Sequence, residues 1–227
     1  LNRASRVRIP VSPPVLLIRL MSKFISIVCL ILCINLPIFT ENNSTIKEIV
    51  ILHTNDIESV YEPIPATWRD DMELIGGISH LATLIRDVRE SENITFLVDA
   101  GDIFTGALSK KSEGKLPFDL YSAMNYDTLT LGNHEFEYGW EKLVETIPRA
   151  NFPVLNANIV HEASGELIAQ PYTILERSGV KVGVIGVMGI DAFYNTMASF
   201  HRTGLTIKDP TETAQYWADK IRDEVNI

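Results

Sequence analysis

Short apolar runs rich in β-branched residues recur along this chain with helical-period segments between them, and that alternation restricts the fold more than any other feature. Runs of strand length occupy 48–53, 94–100, 127–131, 152–158 and 180–188, each bounded by turn-forming residues. Between them, Ile78, Leu81, Ala82, Ile85 and Val88 fall at helical spacing, and 117–124, 140–147 and 211–225 are predicted as further helices. Strand, helix and strand in this order predict a layered α/β fold with largely buried strands. With 227 residues, 46% of them hydrophobic, the chain has material for a full core.

Three of the predicted strands run out into a residue able to hold a cation: Asp56 after the first, Asp102 after the second and Asn133 after the third. One such residue alone would be read as a turn former or a helix cap. Three in succession carry more weight, because in α/β sheets the ligand site lies beyond the carboxyl ends of the strands, so residues far apart in sequence are expected to meet there. Glycine precedes two of them, in Gly101-Asp102 and Gly132-Asn133, and lets the backbone bend sharply where the side chain must approach an ion.

His134 follows Asn133 directly and Glu137 lies three residues on, so a helical turn starting here puts both side chains on one face. A carboxylate on one ring nitrogen fixes the tautomer and raises the basicity of the other, which prepares a histidine for proton transfer. His53 lies inside a strand run and reads as structural, while His80, His161 and His201 read as helix-face or loop residues. Gly183, Gly186 and Gly189 lie in an apolar run and predict a tightly packed strand rather than a phosphate loop. The 68–71 segment is predicted as a surface loop and Asn156-Ala157-Asn158 as a hydrogen-bonded turn.

Both cysteines, Cys29 and Cys33, fall in an apolar stretch near the start, so thiol chemistry is excluded from the domain that follows. That stretch, 24–36, is preceded by Met21-Ser22-Lys23 and has the layout of a secretory signal, too short to span a bilayer comfortably. The boundaries expected are 1–20 as an upstream translation artefact, 21–40 as a signal peptide starting at Met21, 41–47 as a linker and 48–227 as the folded domain. Residues 1–40 carry five cations and no acid, leaving 15 cations against 29 acids in the rest. A surface so acidic repels nucleic acid but not a small anion drawn to a metal.

Four ordered blocks, ILHTND, LVDAGD, LTLGNHEFEYG and FPVLNANI, resemble the calcineurin-like metallophosphoesterase domain of the bacterial 5'-nucleotidase and UDP-sugar hydrolase family. The resemblance runs from about Ile49 to the end and implies a metallophosphoesterase fold of two sheets flanked by helices. It further implies that Asp56 binds a first divalent metal ion, that Asp102 bridges two, that Asn133 binds the second and that His134 faces the phosphate. The activity implied is hydrolysis of a small phosphorylated substrate, a nucleotide, by two-metal activation of water; the signal-like segment from Met21 predicts a periplasmic or secreted protein with no membrane role after export.

Two positions depart from the family pattern. Glu58 stands where the family has a metal-binding histidine, and Glu137 where it has aspartate. A carboxylate at 58 is expected either to bind, favouring Mn²⁺, Mg²⁺ or Ca²⁺ over Zn²⁺, or not to bind at all. The family's remaining metal-ligand histidines and its C-terminal nucleotide-specificity domain are expected beyond Ile227, which makes the fold incomplete at its C-terminus. The alternatives carried from the sequence are a sulfur-ester hydrolase of thiosulfohydrolase type on the same fold, and a catalytically incomplete fragment or binding module.

Overall fold

The computed structural model describes residues 5–11 and 45–227. Residues 12–44, which include the expected signal segment, lie outside the described residues. The folded unit comprises Ile49–Ile227 and residues up to Val7; Arg8–Glu48 groups separately. Among the described residues no helix is long and apolar enough to cross a membrane.

The strands are β1 (Ser5–Val11), β2 (Thr45–Thr54), β3 (Ile64–Pro65), β4 (Leu74–Ile75), β5 (Thr95–Asp99), β6 (Thr128–Thr130), β7 (Val154–Leu155), β8 (Ile159–His161), β9 (Tyr172–Arg177), β10 (Val180–Ile185) and β11 (Leu205–Ile207). The helices are α1 (Ile78–Ser91), α2 (Ala107–Ser112), α3 (Lys115–Ala123), α4 (Trp140–Thr146) and α5 (Pro210–Ile221). The main sheet has the order β1-β2-β5-β6-β7. Within it β2, β5, β6 and β7 are all parallel, with Val50 opposite Thr95, Val98 opposite Thr128 and Leu129 opposite Val154. Parallel neighbours need a crossover each, and α1, the α2–α3 pair and α4 supply them in turn. The chain is thus mixed α/β, with a parallel sheet flanked by helices. All four parallel strands deliver their carboxyl ends to one edge.

The remaining strands pair two by two as antiparallel ladders, β9 with β10, β8 with β11 and β3 with β4. The apolar run at 180–188 is strand only as far as Ile185. Its glycines make close packing possible: a Cβ on Gly183 would meet Ile221 Cδ1 at 2.6 Å, and one on Gly186 would meet Leu155 at 2.7 Å.

Local chemistry sets the helix limits. In α5 the Asp209 side chain accepts the Glu212 N–H at 2.9 Å and Pro210 takes the first helical position, where a missing N–H costs nothing. The helix therefore starts one residue before the expected 211 and gives way to a 3-10 turn at Arg222–Glu224. The run at 152–158 contributes only two strand residues, because the Asn156 side chain accepts the Asn158 and Ile159 N–H groups and turns the chain there.

The core lies between the sheet and its helices. Val50, Leu52, Leu97, Leu129 and Val154 face Leu81 and Ile85 of α1, Phe118 and Tyr121 of α3 and Leu143 of α4 in one cluster. Phe104 packs edge-on against Phe118 with centroids 5.3 Å apart, and Tyr121 stacks on Tyr126 at 4.1 Å. Phe118 is fully buried. Phe118→Ala is expected to destabilise the chain by about 3–5 kcal/mol through lost burial and a residual cavity; urea unfolding checks this, and a change under about 1 kcal/mol would place Phe118 outside the core.

Candidate metal centre

The three strand-end loops are joined by backbone hydrogen bonds and one buried carboxylate. Asp56 N–H donates to Gly101 O at 3.0 Å and Glu58 N–H donates to Asp102 O at 3.3 Å, tying the loop after β2 to the loop after β5. Glu135, fully buried, accepts from Asp102 N–H at 3.0 Å, Ile103 N–H at 2.7 Å and Gly132 N–H at 2.6 Å, tying the loop after β5 to the loop after β6. His134 N–H donates to Asp102 Oδ1 at 2.9 Å. The loops approach so closely that a Cβ on Gly101 would meet Gly132 N at 2.3 Å, and one on Gly132 would meet Asp102 Oδ1 at 2.3 Å. Only glycine fits at either position.

Asp56 and Asp102 both hold a left-handed backbone conformation, φ 54° and 63°, one that L-residues adopt at a cost and that concentrates at functional sites. The two carboxylates are near enough for the Asp56 charge to oppose ionisation of Asp102. Burial raises the Asp102 carboxyl above its ordinary value; the His134 N–H and ring oppose this, and the neighbouring Asp56 charge adds to it. Asn133 sits half-buried between Gly132 and His134, which both touch Asp102. The structure thus brings Asp56, Asp102, Asn133 and His134 into one neighbourhood.

The His134 ring is gripped at Nδ1. Glu137 Oε1 lies 2.6 Å from Nδ1, and the Thr105 hydroxyl lies 2.6 Å from both of those atoms. Nε2 stands 3.9 Å from Glu58 Oε1. Burial lowers the imidazolium, but the Glu137 hydrogen bond and the charges of Asp102, Glu137 and Glu58 outweigh it and leave His134 above its ordinary value. Glu58, also left-handed at φ 45°, is therefore placed beside the imidazole. His161, expected on a helix face or loop, ends β8 and packs edge-on against Trp140 at 4.4 Å.

Among the described residues no group of three or more His, Cys, Asp or Glu side chains is arranged to hold a metal ion. What is present is a pair of carboxylates held together against their mutual repulsion, next to a carboxamide. Such an oxygen-rich set fits a hard divalent cation, whose charge would relieve the repulsion.

Sequence reasoning passed over two buried acids. Glu135 is one; the signal for it is a carboxylate three residues beyond Gly132 at a helix start, where it can reach back to backbone N–H groups. Asp99, at the end of β5, is the other, only 4% exposed. Its carboxylate accepts from Thr54 Oγ1 at 2.5 Å, Tyr121 OH at 2.9 Å and Gly101 N–H at 2.7 Å. An acid inside a β-branched run, two residues before Gly101, was the available sign.

Burial pushes the Asp99 carboxyl up to about 7 from an ordinary 3.8, against the hydrogen bonds from Thr54, Gly101 and Tyr121. A carboxyl raised in the folded state holds its proton more tightly there than when unfolded, so its stabilising linkage is complete below about pH 4 and lost as pH rises through about 7. Asp99→Asn removes that proton. Across this window the melting temperature of the metal-free wild type is expected to fall relative to that of Asp99→Asn; parallel curves would count against the assignment.

Residues 49–224 match the family model of the calcineurin-like phosphoesterases. The 5'-nucleotidase of Bos taurus is 33% identical over 189 residues, covering 77% of this chain and 32% of that protein. A solved 5'-nucleotidase precursor of Thermus thermophilus superposes with a TM-score of 0.67 at 26% identity, covering 77% of this chain and 34% of the other. A sulfate thiohydrolase of Thermus thermophilus superposes with a TM-score of 0.66 at 18% identity, covering 78% and 42%, a likeness of fold alone. The chain spans about a third of the length of the curated relative it matches.

Proposed function

The chain belongs to the calcineurin-like phosphoesterase family, a family of hydrolases, and from that premise we propose that it serves metal-dependent hydrolysis of phosphate monoesters of the nucleotide type, in a protein exported to the periplasm or beyond. The observation that carries this reading is the convergence of Asp56, Asp102, Asn133 and a gripped His134 at the carboxyl edge of a parallel sheet.

In this reading Asp56 and Asp102 hold one divalent ion, and Asp102 and Asn133 hold a second, drawn from Mn²⁺, Mg²⁺, Ca²⁺ or Zn²⁺. Bound metal supplies an activated water and neutralises charge on the phosphoryl group. Glu135 keeps Asp102 in place by fixing its backbone N–H. Glu137 and Thr105 fix His134 through Nδ1, so Nε2 is the atom left to hold a proton. A protonated ring can give its Nε2 proton to the leaving oxygen, and the Glu137 hydrogen bond and the neighbouring carboxylates favour that form. Glu58 holds the charged ring from the other side and is not assigned to the metal. Similarity to 5'-nucleotidases supports nucleotide substrates.

Hydrolysis of AMP and p-nitrophenyl phosphate is expected with added Mn²⁺, lost with EDTA and restored by metal. Asp102→Ala is expected to abolish both turnover and metal binding by calorimetry. For His134→Ala the expected loss is about 10²–10⁴-fold in kcat, the usual contribution of general acid–base catalysis, with metal binding retained. Turnover of sulfur esters with none of phosphate esters would overturn the proposal.

A further inference from the structure

Thr95 opens β5 with a hydroxyl that the fold leaves unused. The residue is 5% exposed and its Oγ1 has no hydrogen-bond partner. A buried hydroxyl without a partner costs free energy. Valine has nearly the same shape, suits a strand as well and carries no such cost. The backbone at this position would be served equally by either residue: the Thr95 carbonyl accepts the Arg177 Nε–H at 2.8 Å. Two residues earlier the situation is reversed. Asn93 is exposed, in the bend between the end of α1 and the start of β5. That bend lies at the amino end of the parallel sheet, the far edge from Asp56, Asp102 and Asn133.

Asn93-Ile94-Thr95 is Asn-x-Thr with no proline between, the acceptor pattern for N-linked glycosylation in secreted proteins. We propose that Asn93 is a glycosylation site and that the Thr95 hydroxyl serves the oligosaccharyltransferase, which reads it in the extended chain before β5 forms, and not the fold. This accounts for both halves of the observation: the hydroxyl is used while it is accessible and is left without a partner once the strand closes over it, whereas the asparagine that carries the glycan stays in solvent. In the transfer, the Asn93 carboxamide nitrogen bonds to the anomeric carbon of an oligosaccharide carried on a lipid pyrophosphate. The bond from that carbon to the phosphate oxygen breaks, the lipid pyrophosphate leaves and the nitrogen gives up one of its two protons. A glycan at the amino end of the sheet leaves the carboxyl edge open. The site goes beyond the phosphoesterase reading and rests only on its export half, through a compartment that holds the transferase.

The test is expression of the full chain in a eukaryotic secretory host in two forms, one with its own leader and one behind a host secretion signal. Glycan is released enzymatically from the whole culture in ¹⁸O-water, and peptide mass spectrometry then separates Asn93 from the same pattern at Asn42 and Asn43, which lies outside the described residues. Glycan at Asn93 is expected in both forms, lost in Asn93→Gln and in Thr95→Val, and kept in Thr95→Ser. An unmodified Asn93 in both forms, or a glycan that survives Thr95→Val, overturns the proposal. Glycan on the host-signal form alone keeps Asn93 as the acceptor and sinks export from Met21 instead. Without glycan, in protein made in a bacterial cytosol, Thr95→Val is expected to melt no lower than the wild type. A lower melting temperature would show that the fold needs the hydroxyl and would likewise overturn the proposal.

Discussion

The Glu135 carboxylate makes one site out of separate strand ends, because its two oxygens accept the N–H groups of Asp102, Ile103 and Gly132 from loops 30 residues apart in the chain. A parallel sheet delivers its carboxyl ends to one edge but leaves the loops beyond them with unpaired donors. Backbone N–H groups buried without partners are costly, and no neutral side chain offers as many acceptor sites as a carboxylate. Burial nonetheless pushes the Glu135 carboxyl up to about 7 from an ordinary 4.5, so the three bonds offset only part of its cost, and the loops they join meet closely at Gly101 and Gly132. Asp102, with its left-handed backbone, is positioned from behind.

A second buried acid does the same work one layer down. Asp99 gathers Thr54 from β2, Tyr121 from α3 and Gly101 from its own loop, and Thr54 in turn contacts the Tyr126 hydroxyl. The floor beneath Asp56 and Asp102 is therefore a satisfied polar network rather than plain hydrocarbon. In such a network each bond polarises the next and the side chains lose their alternatives, and through the Gly101 N–H it is tied to the loop that carries Asp102.

Much of this was legible in the sequence, for identifiable reasons. Apolar, β-branched runs marked the strands and a 3.6-residue period the helices, and parallel order then brought Asp56, Asp102 and Asn133 to one edge. His134 and Glu137 could be paired because three residues make one helical turn. The same short segment contains Glu135, whose spacing from Gly132 marks only that one bond; its other partners cross from the loop after β5, and a contact of that range leaves no local pattern. Asn156 was legible as part of a hydrogen-bonded turn, but not as the end of a strand run carried through to 158. Its segment has strand composition, but its side chain accepts two backbone N–H groups and ends the strand at Leu155. Where a side chain competes for the backbone, composition alone misplaces the boundary.

Glu58 adds charge beside His134 on a loop whose backbone is set by its neighbours. Its φ of 45° and that of Ser59, 58°, give two left-handed residues in a row, and Gly106 makes room for them: a Cβ there would meet Ser59 Cβ at 2.7 Å. The backbone conformation is thus fixed by the loop, whatever the side chain at 58. With glutamate there, the Oε1 atom stands on the Nε2 side of His134 while Glu137 holds Nδ1. An imidazole flanked by carboxylates at both nitrogens favours its protonated form, since each acid stabilises the positive ring. A neutral imidazole at 58 would leave only Glu137 and Asp102 to do so. Glu58 therefore acts on the histidine, whose protonated ring it favours.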